Sequence, residues 1–175
     1  MATDPIVLVG DLESYQGGDA QSLIDQATAL VRRYCGWHVT PERTETMALD
    51  GSGGRSLRIP SLHVTGVSAV TNDGTAYTDD DFAWSSVGTL TRGPRTGIWA
   101  EGPRKVRATV THGYSPDDAA DLASVIMARA TRMQASPGSA SRVQAGPFSE
   151  QYESGSGFTS DEMATLDRYR LPPRP

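Results

Sequence analysis

A single cysteine, Cys35, stands in 175 residues. An internal disulfide is therefore excluded, and so is a zinc site built on paired thiols, because no second thiol sits at ligand spacing. Lysine is almost missing: of 16 basic residues only Lys105 is a lysine, a bias that GC-rich coding explains better than a chemical requirement. Positive charge is in deficit, the formal net charge being −5. Gripping nucleic acid over a whole surface needs clustered positive charge, so that class of function is disfavoured. No stretch approaches the roughly 18 apolar residues of a membrane span, and Met1 to Val9 lacks a basic region followed by a long apolar run. The expectation is a soluble chain without an export signal and without a membrane partner.

Hydrophobic residues make up 37% of the chain, alongside 18 glycines and 11 prolines. That composition fits one turn-rich globular domain with appendages. From Asp19 to Tyr34, the residues Leu23, Ile24, Ala27, Leu30, Val31 and Tyr34 fall at helical spacing. Asp19 can cap this helix, Arg32 and Arg33 suit its C-terminal dipole end, and Gly36 stops it. Beyond Trp37, Arg43–Leu49 and Arg55–Ile59 read as strands joined by a hairpin through Asp50–Gly54. Further strands are expected at His63–Thr71, Phe82–Ser85, Gly88–Arg92 and Arg104–His112, with a turn at Asn72, Asp73 and Gly74.

Helical periodicity returns after Ser115, where Pro116, Asp117 and Asp118 suit a first turn and Leu122, Val125, Ile126, Ala130 and Met133 form a buried stripe ending near Ala135. Thr159 to Glu162 spells a capping box for a last short helix through about Tyr169, before an extended tail ending in Arg174 and Pro175. The fold class is α+β, with helices bracketing an inserted small antiparallel β module. Residues 1–135 are read as the helical core with the module at about 38–112, residues 136–157 as an extended loop, and residues 158–175 as a C-terminal helix and tail.

Chemistry is sparse. His38, His63 and His112 lie far apart in sequence, none beside an obvious nucleophile or a metal-spaced partner. The run Gly51 to Gly54 is not followed by the Lys-Ser or Lys-Thr pair that a phosphate loop needs. Asp79, Asp80 and Asp81 match no calcium loop and read as a solvated turn leading into a strand. Trp37, Trp84 and Trp99 are assigned to the core rather than to a sugar- or base-stacking surface. No catalytic residue, metal site or cofactor is expected, and the protein is not expected to be an enzyme.

The stretch Tyr34-Cys35-Gly36-Trp37-His38-Val39, followed by Pro41, Thr44, Leu49, Asp50, Gly51, Leu57, Ile59, Pro60, Leu62, Val64, Val67 and Val70, resembles head-to-tail adaptor proteins of actinobacterial tailed phages. Gly146, Pro147 and Phe148 with the closing helix Thr159 to Arg170 add to the resemblance, which spans about residues 15 to 170. It implies a virion neck protein made in the host bacterial cytoplasm. Such a protein is a dodecameric homo-oligomer ring seated between the portal and the next stopper or connector protein, with genomic DNA passing through its lumen without sequence-specific binding. Relatives are mainly helical, so residues 38–112 are the elaborated part.

Isolated helices shorter than about 12 to 15 residues are marginal, so the closing helix needs a surface to lie on. The expected surface is the portal, the alternative being that the helix packs on its own subunit. Phe158, Met163, Leu166, Tyr169 and Leu171 supply apolar contacts, and Arg168, Arg170 and Arg174 supply positive charge toward acidic portal groups. Truncation after Gly157 is then expected to abolish portal binding and leave the fold intact. Asp79, Asp80 and Asp81 are candidates to face the lumen, where negative charge lets DNA slide. The alternatives are a head-completion stopper or other neck component, or a ligand-binding β domain that uses its tryptophans.

Overall fold

A computed structural model describes residues 20–93, 97–135, 142–145, 148–151 and 157–172. Asp19, Gly146, Pro147, Arg174 and Pro175, used above as a cap, as marks of the resemblance and as tail, lie outside the described residues. The chain divides into two units, one formed by Met1–Pro41 with Pro116–Pro175, the other by Glu42–Ser115.

In the helical unit, α1 (Ala20–Cys35) buries Ala20, Ile24, Ala27, Thr28, Val31 and Cys35. Leu23, Leu30 and Tyr34 flank that stripe half-buried. Gly36 takes φ +83°, a left-handed conformation that costs an L side chain energy, and its N–H closes on the Arg32 carbonyl at 2.9 Å. The Arg32 guanidinium does more than complement a dipole, donating to the carbonyls of His38 at 3.1 Å and Thr40 at 3.0 Å. It fastens the outgoing chain to the helix that precedes it.

The second helix, α2 (Ala120–Ala135), starts later than the sequence pattern indicates. Residues 116–119 form a turn first, because a proline that presets φ serves a turn as well as a first helical residue. Leu122, Val125, Ile126 and Ala130 are buried, whereas Met133 is half-buried. The third helix, α3 (Ser160–Asp167), carries the anticipated capping box: Thr159 Oγ1 accepts from the Glu162 N–H at 3.3 Å, and Glu162 Oε2 accepts from the Thr159 N–H at 2.9 Å. Within the segment read as an extended loop, two short strands pair as a hairpin in register Arg142↔Gln151 to Ala145↔Phe148. Four-residue strands in a polar, glycine-rich sequence leave too little periodicity to see.

Among the described residues the β unit holds seven strands: β1 (Arg43–Gly51), β2 (Ser56–Arg58), β3 (Val64–Asn72), β4 (Thr75–Ala76), β5 (Phe82–Trp84), β6 (Thr89–Arg92) and β7 (Gly102–His112). They form two antiparallel sheets, ordered β1-β7-β3-β4 and β2-β6-β5. The hairpin expected between Arg43–Leu49 and Arg55–Ile59 is not formed. Strand β1 pairs with β7, from Arg43↔His112 to Gly51↔Gly102, and β2 pairs with β6. Asp50–Gly54 instead carries the chain from one sheet to the other, passing so close to the main chain that a Cβ on Gly51 would overlap the Ala100 carbonyl. A glycine run marks a turn and a close backbone passage equally well. The turn at Asp73-Gly74 is as expected, with φ +49° and +84° at its two central residues, the conformation whose twist matches a two-residue hairpin.

Leu49, Leu57, Ile59, Val64, Val70, Phe82, Leu90, Trp99, Val106, Ala108 and Val110 form the core of this unit, joined by half-buried Met47, Val67 and Tyr77. The alternation of β7 puts Val106, Ala108 and Val110 inside. The opposite face of β1 and β7 carries hydroxyl pairs, Thr44 with Thr111 at 2.8 Å and Thr46 with Thr109 at 3.0 Å.

Candidate functional site

The closing helix lies on the chain's own helices. Phe158 is 1% exposed, Leu166 0% and Tyr169 8%, and α3 contacts both α1 and α2. Polar bonds fix its place: the Trp37 indole N–H donates to the Tyr169 carbonyl at 2.7 Å, the Tyr169 hydroxyl donates to Asp121 Oδ1 at 2.7 Å, and the Leu171 N–H donates to the Cys35 carbonyl at 2.8 Å. Arg132 grips both oxygens of Glu162 at 2.8 and 2.6 Å, so a single carboxylate ties α2 to the cap of α3. The surface that an eight-residue helix needs is thus present within the subunit. Of the residues assigned to the portal, Arg168 and Arg170 are exposed, Met163 and Leu171 are half-buried, and Arg174 lies outside the described residues.

Asp79–Asp81 form one turn of 3-10 helix leading into β5. Asp81 caps that turn, accepting from the Thr78 N–H and hydroxyl at 2.9 Å each, and the backbone bond first, then the hydroxyl, hold its carboxyl below the usual range. Asp79 and Asp80 are exposed. Trp37 and Trp99 are buried as expected, but Trp84 is 40% exposed and belongs to no core. It stands on a three-residue strand at the margin of its sheet, where too few neighbours exist to cover an indole.

Arg92 was missed. It is 5% exposed, with its guanidinium 3.9 Å from the Tyr77 ring centre and 5.2 Å from that of Trp99. The available signal was positional: Arg92 stands two residues after Leu90 on one strand, and such residues share a face.

The histidines and the cysteine make contacts within the fold. His38 Nε2 lies 2.9 Å from the Pro41 carbonyl, and His63 stacks on Tyr114 at 4.4 Å. Cys35 is buried, its thiol pushed up to about 12 by burial first and by Asp167 second, so it offers no thiolate at neutral pH. In the β unit, Glu45 accepts from His112 and from Arg43, each at 3.0 Å. Burial alone would raise the Glu45 carboxyl, but the bonds from His112 and Arg43 together outweigh it and hold it low. Burial dominates at His112 and depresses its imidazole despite Glu45.

Both shifts make acid destabilising. A depressed histidine contributes stability that is complete above its unfolded pKa of about 6.5 and declines as pH falls, because the unfolded chain takes the proton first. A depressed carboxyl likewise contributes above about 4.3 and is lost below. The melting temperature is expected to fall stepwise from pH 7 toward pH 4, and His112→Gln to remove the upper step. Equal melting temperatures at about pH 7 and pH 5 in the unmodified protein would contradict this assignment.

No protein-family model matches the sequence, and no curated protein matches it. Solved structures do. The chain is similar to one in the neck of a native GTA particle computed with C12 symmetry, with 16% identity, a TM-score of 0.69, and 99% of this chain and 94% of that chain covered. A chain in the neck of an empty GTA particle computed with C6 symmetry gives 15% identity and a TM-score of 0.68, with 99% and 94% covered. One in the virion of a native gene transfer agent particle gives 17% and 0.62, with 98% and 88% covered. At these identities the likeness is one of fold: the α+β arrangement of three helices flanking an antiparallel β module is that of a chain found in the neck of a GTA particle.

Proposed function

We propose that this protein is a structural, non-enzymatic subunit of the neck of a tailed particle, acting as a head-to-tail adaptor at the head-tail interface. One observation carries the reading: the fold likeness runs over 99% of this chain and 94% of a neck chain, so it includes the helical frame and the inserted sheets together. The neck particles were computed with C12 and C6 symmetry, which supports a ring of identical subunits. The ring sits between the portal and the next connector protein, with DNA passing through its centre. The side chains support the reading too. The one thiol is buried, and Trp37 and Trp99 are enclosed in separate units, which disfavours a tryptophan-lined ligand site.

The portal contact of the C-terminal region falls to what α3 leaves outside, namely Arg168 and Arg170 with Met163 and Leu171 beside them. The weak contact of each subunit is repeated around a closed ring, which raises avidity. The test is to mix the purified protein with the portal ring encoded by the same genome and image the mixture by electron microscopy. A second ring stacked on the portal is the expected result. Bare portals beside free monomers, at concentrations well above micromolar, would overturn the adaptor reading.

A further inference from the structure

Residues 136–159 join α2 to α3 with far more chain than the helices need. Arg132, in the last turn of α2, grips Glu162, in the first turn of α3, at 2.6 Å, so the two helix ends lie side by side. A connection of about 2 to 8 residues ordinarily joins helices so placed. The extra length carries the hairpin of β8 (Arg142–Ala145) and β9 (Phe148–Gln151), which pair with each other and with no other described strand. A two-stranded hairpin alone is at best marginal in water, so these strands call for a sheet to join.

The β unit offers one. The Asp73 N–H donates to the Lys105 carbonyl at 2.8 Å and the Gly113 N–H to the His63 carbonyl at 2.9 Å, so the odd-numbered main-chain groups along β7 face β3 and the even-numbered ones face β1. Arg43, Glu45, Met47 and Leu49 stand opposite His112, Val110, Ala108 and Val106 and bond to β7. The main-chain groups of Thr44, Thr46 and Ala48 therefore point away from the sheet, where no described strand pairs with them, and all three residues are exposed. Outer strands are ordinarily blunted by brevity, charge, proline or a bulge. Strand β4 has two residues and β2 and β5 three each. Strand β1 has nine, its outward positions are threonine and alanine, and its register is regular as far as Leu49. It is the edge left open to another strand, and the run Thr44–Ala48 is matched in length by strands of four residues.

We propose that the β8–β9 hairpin of one copy adds to the β1 edge of the next, extending that sheet and forming the repeated contact of the ring. Main-chain hydrogen bonds supply the attraction in strand addition of this kind. A closed ring requires two different patches on every subunit, and the hairpin and the β1 edge supply them. The proposal rests on the ring reading above.

Thr46→Pro tests the edge. It removes an outward N–H and leaves the bonds of β1 to β7 in place, because an edge strand accepts proline where the nitrogen faces outward. The variant is expected to keep the native circular dichroism spectrum and to associate about tenfold more weakly in sedimentation, while Thr46→Ser associates like the unmodified chain. A second measurement needs no proline: Thr46→Cys is combined in turn with Val143→Cys, Gln144→Cys, Ser149→Cys and Glu150→Cys, and the chains are oxidised. Neighbouring strands lie about 5 Å apart and the next strand about 10 Å away, beyond disulfide reach, so positions on β8 or on β9, and not on both, are expected to link one copy to the next. Cys35 is buried and takes no part. Disulfides formed only within one chain, no disulfide at any of the four positions, or Thr46→Pro rings on the portal as abundant as those of the unmodified chain would overturn the strand addition and leave the ring standing. An unmodified chain that neither self-associates nor forms rings on the portal would overturn the ring reading, and this contact with it.

Discussion

A chain cut after Gly157 is expected to lose the cooperative fold of its helical unit rather than merely a docking device. The cut removes Phe158, Leu166 and Tyr169, all buried, and the partners of Trp37, Asp121, Cys35 and Arg132. Replacing a buried leucine or phenylalanine by alanine costs about 2 to 5 kcal/mol, set against a total stability of about 5 to 15 kcal/mol. Leu166→Ala and Phe158→Ala are each expected to cost amounts in that range. Urea unfolding followed by circular dichroism measures it. A truncated chain with the melting temperature of the full one would show that α3 contributes nothing to the fold. Portal binding by the truncated chain therefore does not isolate a docking role, contrary to what the sequence alone leads one to expect. Reversing Arg168 and Arg170, which are exposed, tests that role without removing core.

Trp99→Ala is expected to cost the β unit about 3 to 5 kcal/mol. Trp99 is 0% exposed, lies edge-on to Tyr77 at 6.4 Å, and forms with that ring the enclosure of the Arg92 guanidinium. The variant leaves both a cavity and a buried cation with one aromatic wall fewer. Trp99→Phe refills part of the space and is expected to recover about half of the loss. Denaturant unfolding of the full-length variants decides the matter. A loss of under about 1 kcal/mol for the alanine variant would mean that the core closes over the gap.

The sequence by itself determined the helices and most strands of the β unit, because each signal is local, though not the hairpin of Arg142–Ala145 with Phe148–Gln151. Ile24, Ala27 and Val31 repeat at the period of a helix, Val106, Ala108 and Val110 at that of a strand, and Thr159 with Glu162 writes a cap that needs no distant partner. Tertiary structure alone decided what those segments meet. The glycines at 51–54 read as a hairpin, yet β1 pairs with β7, some fifty residues away, because pairing is settled by which apolar faces close one core. Phe158, Leu166 and Tyr169 read as an apolar stripe in want of a surface, and only the packed helices show that α1 and α2 provide it. An amphipathic pattern specifies that a face will be buried, and the partner is chosen by the contacts that the whole chain can satisfy at once.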